Sequence, residues 1–292
     1  MQNVYAMLES LRPRHWIKNF VVFAGLLFSQ NIFNFPLLFK VIFAFLIFCL
    51  LSSSVYILND LTDLEEDRRH PVKSRRPLAS GRLKVSHAIL ILIFLIPFLL
   101  GISYYLSLSF FLVALAYFLL QLAYSFSLKR IVILDVFAIA CGFALRVVAG
   151  AMVIDVEISS WLLICTILLA LFLGFSKRRH ELVVLEGGAQ KHRKVLTDYS
   201  PYLLDQMISV VTASTVVSYA LYTMSRETIE KFGTRNLIFT IPFVLYGIFR
   251  YLYLIHKKEE GGNPESILVT DKPLIVSILL WAITVGIILY GR

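Results

Sequence analysis

Val41 to Leu58 read VIFAFLIFCLLSSSVYIL, an apolar run without a charge, and Asn59 to His70 follow at once as NDLTDLEEDRRH. The first half has close to the roughly 20 residues that a helix needs to cross about 30 Å of hydrocarbon. The second half sets a block of carboxylates at the mouth of that span. The fold follows from the first half, and the question of function from the second.

Composition extends the membrane reading to the whole chain. Of 292 residues, 58% are apolar, 14% aromatic and only 16% charged, with a mean hydropathy of +0.77. That leaves too little polar surface to clothe a soluble globule. Hydrocarbon requires every backbone amide to be bonded within its own segment, and these runs are too long and continuous for the alternating strands of a barrel. The fold class is therefore all-α and integral to a membrane. Segments of spanning length begin near positions 41, 88, 109, 131, 158, 206, 237 and 274, and a weaker one covers Ile17 to Phe33 (IKNFVVFAGLLFSQNIF). This predicts nine transmembrane helices in one polytopic domain, residues 1–292.

Charge gives the orientation. With the N-terminus inside, the inner loops hold most of the Lys and Arg, while the outer turns and the C-terminus hold only Arg226, Lys231, Arg235 and Arg292. The positive-inside rule then puts the N-terminus and the long charged loops in the cytoplasm of a bacterial plasma membrane. The net charge of +9 describes that face, and no soluble basic domain exists to bind nucleic acid. The opening MQNVYAMLESLRPRHW lacks the pattern of a signal peptide. Cys49, Cys141 and Cys165 lie in apolar runs without CxxC spacing, and the histidines lack metal-binding spacing, so zinc, haem and disulfide chemistry find no support.

Continued as a helix at about 100° per residue, the acidic stretch puts Asn59, Asp60, Asp63 and Asp67 within about 100° of arc. Four oxygen ligands on one face suit a hard divalent cation, and magnesium takes few carboxylates, leaving positions for water and phosphate oxygens. The plainer alternative is that the acids pair with Arg68, Arg69, Lys73, Arg75 and Arg76 on a solvated loop. The next segment, HPVKSRRPLASGRL (His70 to Leu83), breaks the helix with Pro71, Pro77 and Gly81 and adds bases that can meet an anion. Metal ligands beside a basic loop describe a diphosphate site.

NDLTDLEED (Asn59 to Asp67) resembles the NDxxDxxxD signature of the UbiA superfamily of intramembrane prenyltransferases, and YSFSLKR (Tyr124 to Arg130) resembles its YSxxLKR loop element. The resemblance implies a helical bundle with a cytoplasm-facing cavity laterally open to lipid, Mg2+ held by Asn59, Asp60, Asp63 and Asp67, and Tyr124 and Lys129 as substrate contacts. Family members of the best-known type have a second aspartate motif after the sixth span. Here that stretch is FSKRRHELVVLEGG (Phe175 to Gly188), with Lys177, Arg178, Arg179 and His180 in place of carboxylates and only Glu181 and Glu186 as acids.

RPRHWIKN (Arg12 to Asn19), the HPxKxxRPLASG loop, LDVFAIACGFALRVVAGA (Leu134 to Ala151) and SKRRHEL (Ser176 to Leu182) together resemble the decaprenyl-phosphate phosphoribosyltransferase branch. That branch implies phosphoribosyl pyrophosphate as donor and a polyprenyl phosphate as acceptor. The product would be a lipid-linked pentose for cell-envelope glycans. The resemblance makes Asp60, Asp63 and Asp67 the catalytic metal anchor and Lys18, Lys73, Arg75 and Arg76 donor phosphate contacts, while Lys177 and Arg178 are assigned to the lipid phosphate.

Arg146 sits midway along an apolar helix, where an ionised group is costly unless paired or facing water. It is read as a phosphate ligand, against pairing with an acid on a neighbouring helix. Arg250, beside Tyr251, Tyr253 and His256, is read as snorkelling toward the interface. The partners expected are the two substrates and membrane lipid, with no nucleic acid, and a homo-oligomer is compatible with the sequence. The rival readings are a prenyltransferase acting on a prenyl diphosphate and an aromatic or other acceptor, and a transporter of an anionic lipid or metabolite.

Overall fold

The computed structural model describes residues 2–70, 72–184, 194–258 and 264–291. Among these residues there is no strand, and eight helical stretches are long and apolar enough to cross a membrane. They coincide with the eight strong runs of the sequence. The chain groups into two compact units: residues 1–129 with 142–158, and residues 130–141 with 159–292.

The first unit contains α1 (Gln2–Ser10), a 3-10 segment (Pro13–Phe23), α2 (Ala24–Phe28), α3 (Phe35–Thr62), α4 (Leu64–Arg69), α5 (Val85–Leu106), α6 (Leu108–Phe126) and the later turns of α7 (Leu134–Met152). α3 is its centre, with 61% of its most apolar window buried against 17% for α5. α3 starts on Asn34, whose side chain accepts from Leu37 N. Phe48 of α3 packs on Phe110 and Tyr117 of α6, ring centroids 5.9 and 5.1 Å apart.

The weak ninth segment takes a form the hydropathy pattern did not predict. Residues 13–28 are 3-10 and then α-helical and do not belong to the eight. A 3-10 helix rises about 2.0 Å per residue against 1.5 Å in an α-helix, so it covers more length with fewer residues. The polar stripe of α3 explains how it is held. Ser53 Oγ donates to Leu11 O at 2.6 Å and accepts from Trp16 Nε1 at 3.0 Å. Asn19 Nδ2 donates to Ser52 Oγ and Cys49 Sγ, both at 3.3 Å. Small polar residues inside an apolar span thus dock a neighbouring segment closely. Gly150 of α7 completes the approach, since a Cβ there would lie 1.8 Å from Val22 O.

The second unit contains the start of α7, then α8 (Ser160–Val184), α9 (Pro201–Met224), α10 (Arg226–Phe232), α11 (Ile241–Lys257), α12 (Pro264–Thr270) and α13 (Lys272–Tyr290). Phe172 of α8 meets Tyr251 of α11 edge-on at 5.2 Å. Arg250 does more than snorkel: its guanidinium forks onto Asp271, Nε to Oδ1 3.1 Å and Nη2 to Oδ2 2.8 Å. Asp271 also caps α13 by accepting from Leu274 N, and the Arg250 hydrogen bonds hold its carboxyl below the usual aspartate range.

Candidate active site

The acidic stretch does not continue as one straight helix. α3 ends at Thr62, Asp63 leaves helical geometry at φ −101° and ψ 13°, and α4 resumes at Leu64. Backbone spacing nevertheless survives the break, with Asp63 N donating to Asn59 O at 3.0 Å and Asp67 N to Asp63 O at 2.8 Å. The break decides which acids meet.

Asp60 and Asp67 are each 2% exposed and share one donor. Arg76 Nη1 lies 3.0 Å from Asp60 Oδ1 and 2.6 Å from Asp67 Oδ2. Arg12 Nη2 donates to the same Asp60 oxygen, and Lys73 Nζ lies 3.8 Å from Asp67 Oδ1. Asp63 turns to a different partner, Lys129, whose Nζ is 2.8 and 3.1 Å from its two oxygens. The predicted single face of four ligands is therefore divided, and among the described residues no three His, Cys, Asp or Glu side chains gather at metal-binding range. Carboxylates this close repel one another strongly away from bulk water, and the bases between them relieve it.

The residues still fit a hard cation. Every donor is oxygen, and the amide oxygen of Asn59 is buried with no hydrogen-bond partner among the described residues, an arrangement that costs about 1–3 kcal/mol if nothing satisfies it. Magnesium bound through one or two carboxylates and phosphate oxygens matches that donor set.

Hydrogen bonds order the described part of the basic loop. His70 Nδ1 accepts from Val72 N and Lys73 N at 3.1 and 3.2 Å, and Gly81 takes the left-handed turn at φ 77°. Arg82 ties the loop to α1 through Glu9, at 2.7 and 3.0 Å, and donates to Arg75 O at 2.6 Å. The plainer reading of the charge run is seen only in part: Arg68 pairs with exposed Glu65, whereas Arg76 turns inward to buried acids. Arg75 is exposed, and Lys18 and Tyr124 are half-buried in the same unit.

Arg146 is 6% exposed. Nε donates to Asn19 Oδ1 at 2.7 Å, Nη1 to Gly142 O at 2.9 Å and Nη2 to Tyr117 Oη at 2.7 Å. The guanidinium lies over the rings of Tyr117 and Phe143, 4.6 and 5.3 Å from their centroids. No carboxylate among the described residues pairs with it, so the structural pairing weighed for Arg146 does not occur there.

Lys177 and Arg178 belong to the second unit. Arg178, 2% exposed, is committed to acids: Nε to Asp135 Oδ2 and Nη1 to Glu181 Oε2, both 2.7 Å. Tyr199 Oη donates to Asp135 Oδ1 at 2.8 Å and accepts from Ile133 N at 2.7 Å. Burial, reinforced by the Asp135 carboxylate, pushes the Tyr199 phenol far above its usual pKa, which keeps it a donor. A direct grip of Arg178 on lipid phosphate gives way to a structural role, because a buried guanidinium between two carboxylates has little left for a ligand. Arg179 pairs in turn with Asp205. Lys177 is half-buried, and Glu186 lies outside the described residues.

Three site residues escaped the sequence reading. Arg12 reaches Asp60 only because its backbone adopts a left-handed φ of 50°, a conformation costly for a bulky residue and clustered at functional sites. Asn19 and Tyr117 become visible only as the partners of Arg146. The bases around Arg12 in RPRHWIKN were the one available signal for the first.

Fold and cluster together define a polytopic membrane protein with buried carboxylates and bases interleaved at the end of a span. The profile of the UbiA prenyltransferase family matches residues 19–269, and the chain belongs to that family. It is 33% identical to the decaprenyl-phosphate phosphoribosyltransferase of Corynebacterium glutamicum over 97% of this chain and 86% of that protein. Against the enzyme of the same name from Mycolicibacterium smegmatis it is 33% identical over 98% of this chain and 93% of the other. A UbiA homolog from Archaeoglobus fulgidus, solved bound to GPP and Mg2+, superposes with a TM-score of 0.72 at 20% identity, over 97% of this chain and 99% of that one. The chain is a multi-pass membrane transferase.

Proposed function

We propose that the chain transfers 5-phosphoribose from phosphoribosyl pyrophosphate to a polyprenyl monophosphate, with magnesium, at the cytoplasmic face of a bacterial plasma membrane. One observation supports this most: buried Asp60 and Asp67, next to the unsatisfied Asn59 amide oxygen, are ringed by Arg12, Arg76 and Lys73. Interleaved hard oxygen ligands and bases suit a metal-bound diphosphate better than either ligand alone. The phosphoribosyl donor and the lipid acceptor rest on the names of the relatives.

Asn59, Asp60 and Asp67 would hold the cation, with Asp63 joining once released from Lys129. A magnesium ion held there would supply neutralisation of the charge on the departing pyrophosphate. Arg76, Lys73, Arg75 and Lys18 orient the donor phosphates, and Lys129 and Tyr124 border them. The bond from ribose C1 to pyrophosphate breaks, and pyrophosphate leaves with the electron pair. A bond from C1 to a lipid phosphate oxygen forms on the opposite face, giving an inverted, β-linked product. The nucleophile is already an anion, so no general base is needed. Arg146, a cation that pairs with no carboxylate among the described residues, is a further phosphate ligand, and Lys177 serves the lipid phosphate.

Pyrophosphate release by purified protein with magnesium, phosphoribosyl pyrophosphate and polyprenyl monophosphate tests the reading. Turnover should need the lipid and be lost in Asp63→Ala. Release that occurs only with a prenyl diphosphate and an aromatic acceptor would return the chain to ordinary prenyl transfer.

A further inference from the structure

We propose that Arg76 is a displaceable counter-ion that makes cation binding at Asp60 and Asp67 conditional on a diphosphate. The inference rests on the reading that this cluster receives a metal-bound diphosphate. It concerns the order of assembly, which that reading leaves open.

Asp60 and Asp67 are two carboxylates, and three bases, Arg12, Arg76 and Lys73, lie within 4.0 Å of them. Asp63 and Lys129 cancel each other. The cluster therefore has no surplus negative charge with which to draw a divalent cation from water. A single nitrogen, Arg76 Nη1, stands between one oxygen of each buried acid, where a bridging cation would compete with it.

Only one of the two arginines is built to move. Arg12, with a 22% exposed side chain, has its guanidinium against an aromatic face, 4.9 Å from the Tyr56 ring centroid. Arg76 has a 29% exposed side chain on a loop whose backbone is fixed, with Arg76 N donating to Lys73 O at 2.9 Å and Ser80 N to Arg76 O at 2.9 Å. A side-chain rotation vacates the position between Asp60 Oδ1 and Asp67 Oδ2 without disturbing the loop, while Arg12 stays on Asp60. That rotation needs an anion to receive the guanidinium, and a diphosphate supplies one with acceptors for its fork. Cation and diphosphate thus bind with positive coupling, and linkage makes the coupling reciprocal.

The test uses the full chain in nanodiscs with Mn2+ and inorganic pyrophosphate, reading free Mn2+ by its paramagnetic resonance signal against protein-free mixtures. Wild type should bind Mn2+ at least tenfold more weakly alone than with saturating pyrophosphate. Arg76→Gln should bind Mn2+ alone at least tenfold more tightly than wild type, with the coupling reduced to match. Arg68→Gln, whose partner Glu65 is exposed, should behave as wild type. Equal Mn2+ affinity in wild type with and without pyrophosphate overturns the proposal, as does an Arg76→Gln protein that binds metal no more tightly. The first arm needs no variant to fold. Neither phosphoribosyl pyrophosphate nor lipid is present, so failure of the phosphoribosyl reading in the turnover assay leaves this outcome untouched.

Discussion

Asp135 and Arg178 form an ion pair closed to solvent, Nε to Oδ2 2.7 Å, with side chains 0% and 2% exposed. Tyr199 donates to Asp135 and Glu181 accepts from Arg178, which adds to the pair. Removing one member of such a pair leaves a buried charge uncompensated, at a cost of about 3–5 kcal/mol. Asp135→Asn and Arg178→Met should each lower the unfolding temperature in detergent sharply, and the double variant should recover much of the loss. A double variant as unstable as the sum of the singles would show that the two charges are not coupled.

Arg146 separates function from stability in a different way. Three charge-assisted hydrogen bonds and two aromatic faces hold it, with no carboxylate among the described residues. Methionine can fill much of the space without a charge to bury. Arg146→Met leaves the buried Asn19 Oδ1 without its donor, at about 1–3 kcal/mol, so the melting temperature should fall modestly, while turnover of the folded protein falls about 10- to 100-fold, the worth of one charged hydrogen bond to substrate at about 1.5–3 kcal/mol. Wild-type turnover in a folded Arg146→Met protein would exclude a phosphate ligand there.

The spans were legible because hydrocarbon imposes one rule on every residue within it. The packing segment at 13–28 was less so: its 3-10 form depends on Ser52, Ser53 and Cys49 of α3, and hydropathy registers those serines only as a weak patch in a strong span. The acidic motif was legible as a list of ligands. Its geometry was not, because the break at Asp63 sends one carboxylate to Lys129 and leaves two to Arg76. The pairing of Arg178 was hidden for a related reason, since its partner Asp135 lies 43 residues away in sequence and no local pattern reveals the pairing.

Gly150 and Gly101 make a paired test of close packing. A Cβ at Gly150 would stand 1.8 Å from the Val22 carbonyl oxygen, while one at Gly101 would meet nothing within 4 Å. Overpacking costs about 1–3 kcal/mol, whereas an unobstructed Gly→Ala change in a helix gains up to about 1 kcal/mol. Gly150→Ala should lower the melting temperature and Gly101→Ala should leave it unchanged or raise it. Equal behaviour of the two would mean that the 3-10 segment does not lie against α7 as described.

Metal removal should separate activity from folding. Chelation of divalent cations is expected to abolish pyrophosphate release, because Asn59, Asp60 and Asp67 then have no cation with which to hold the donor. It should leave the melting temperature nearly unchanged, since Arg12, Arg76 and Lys73 already compensate the buried acids. Adding Mg2+ and pyrophosphate together should raise it by binding linkage, which is worth about 2.7 kcal/mol of stability at a hundredfold excess over Kd. In Arg76→Gln the dependence inverts. With Asp60 and Asp67 short of one base, chelation should now lower the melting temperature and Mg2+ alone should restore it. Thermal scans of both proteins with and without chelator decide this, and a wild type that melts markedly earlier in chelator would mean that the bases do not stand in for the metal.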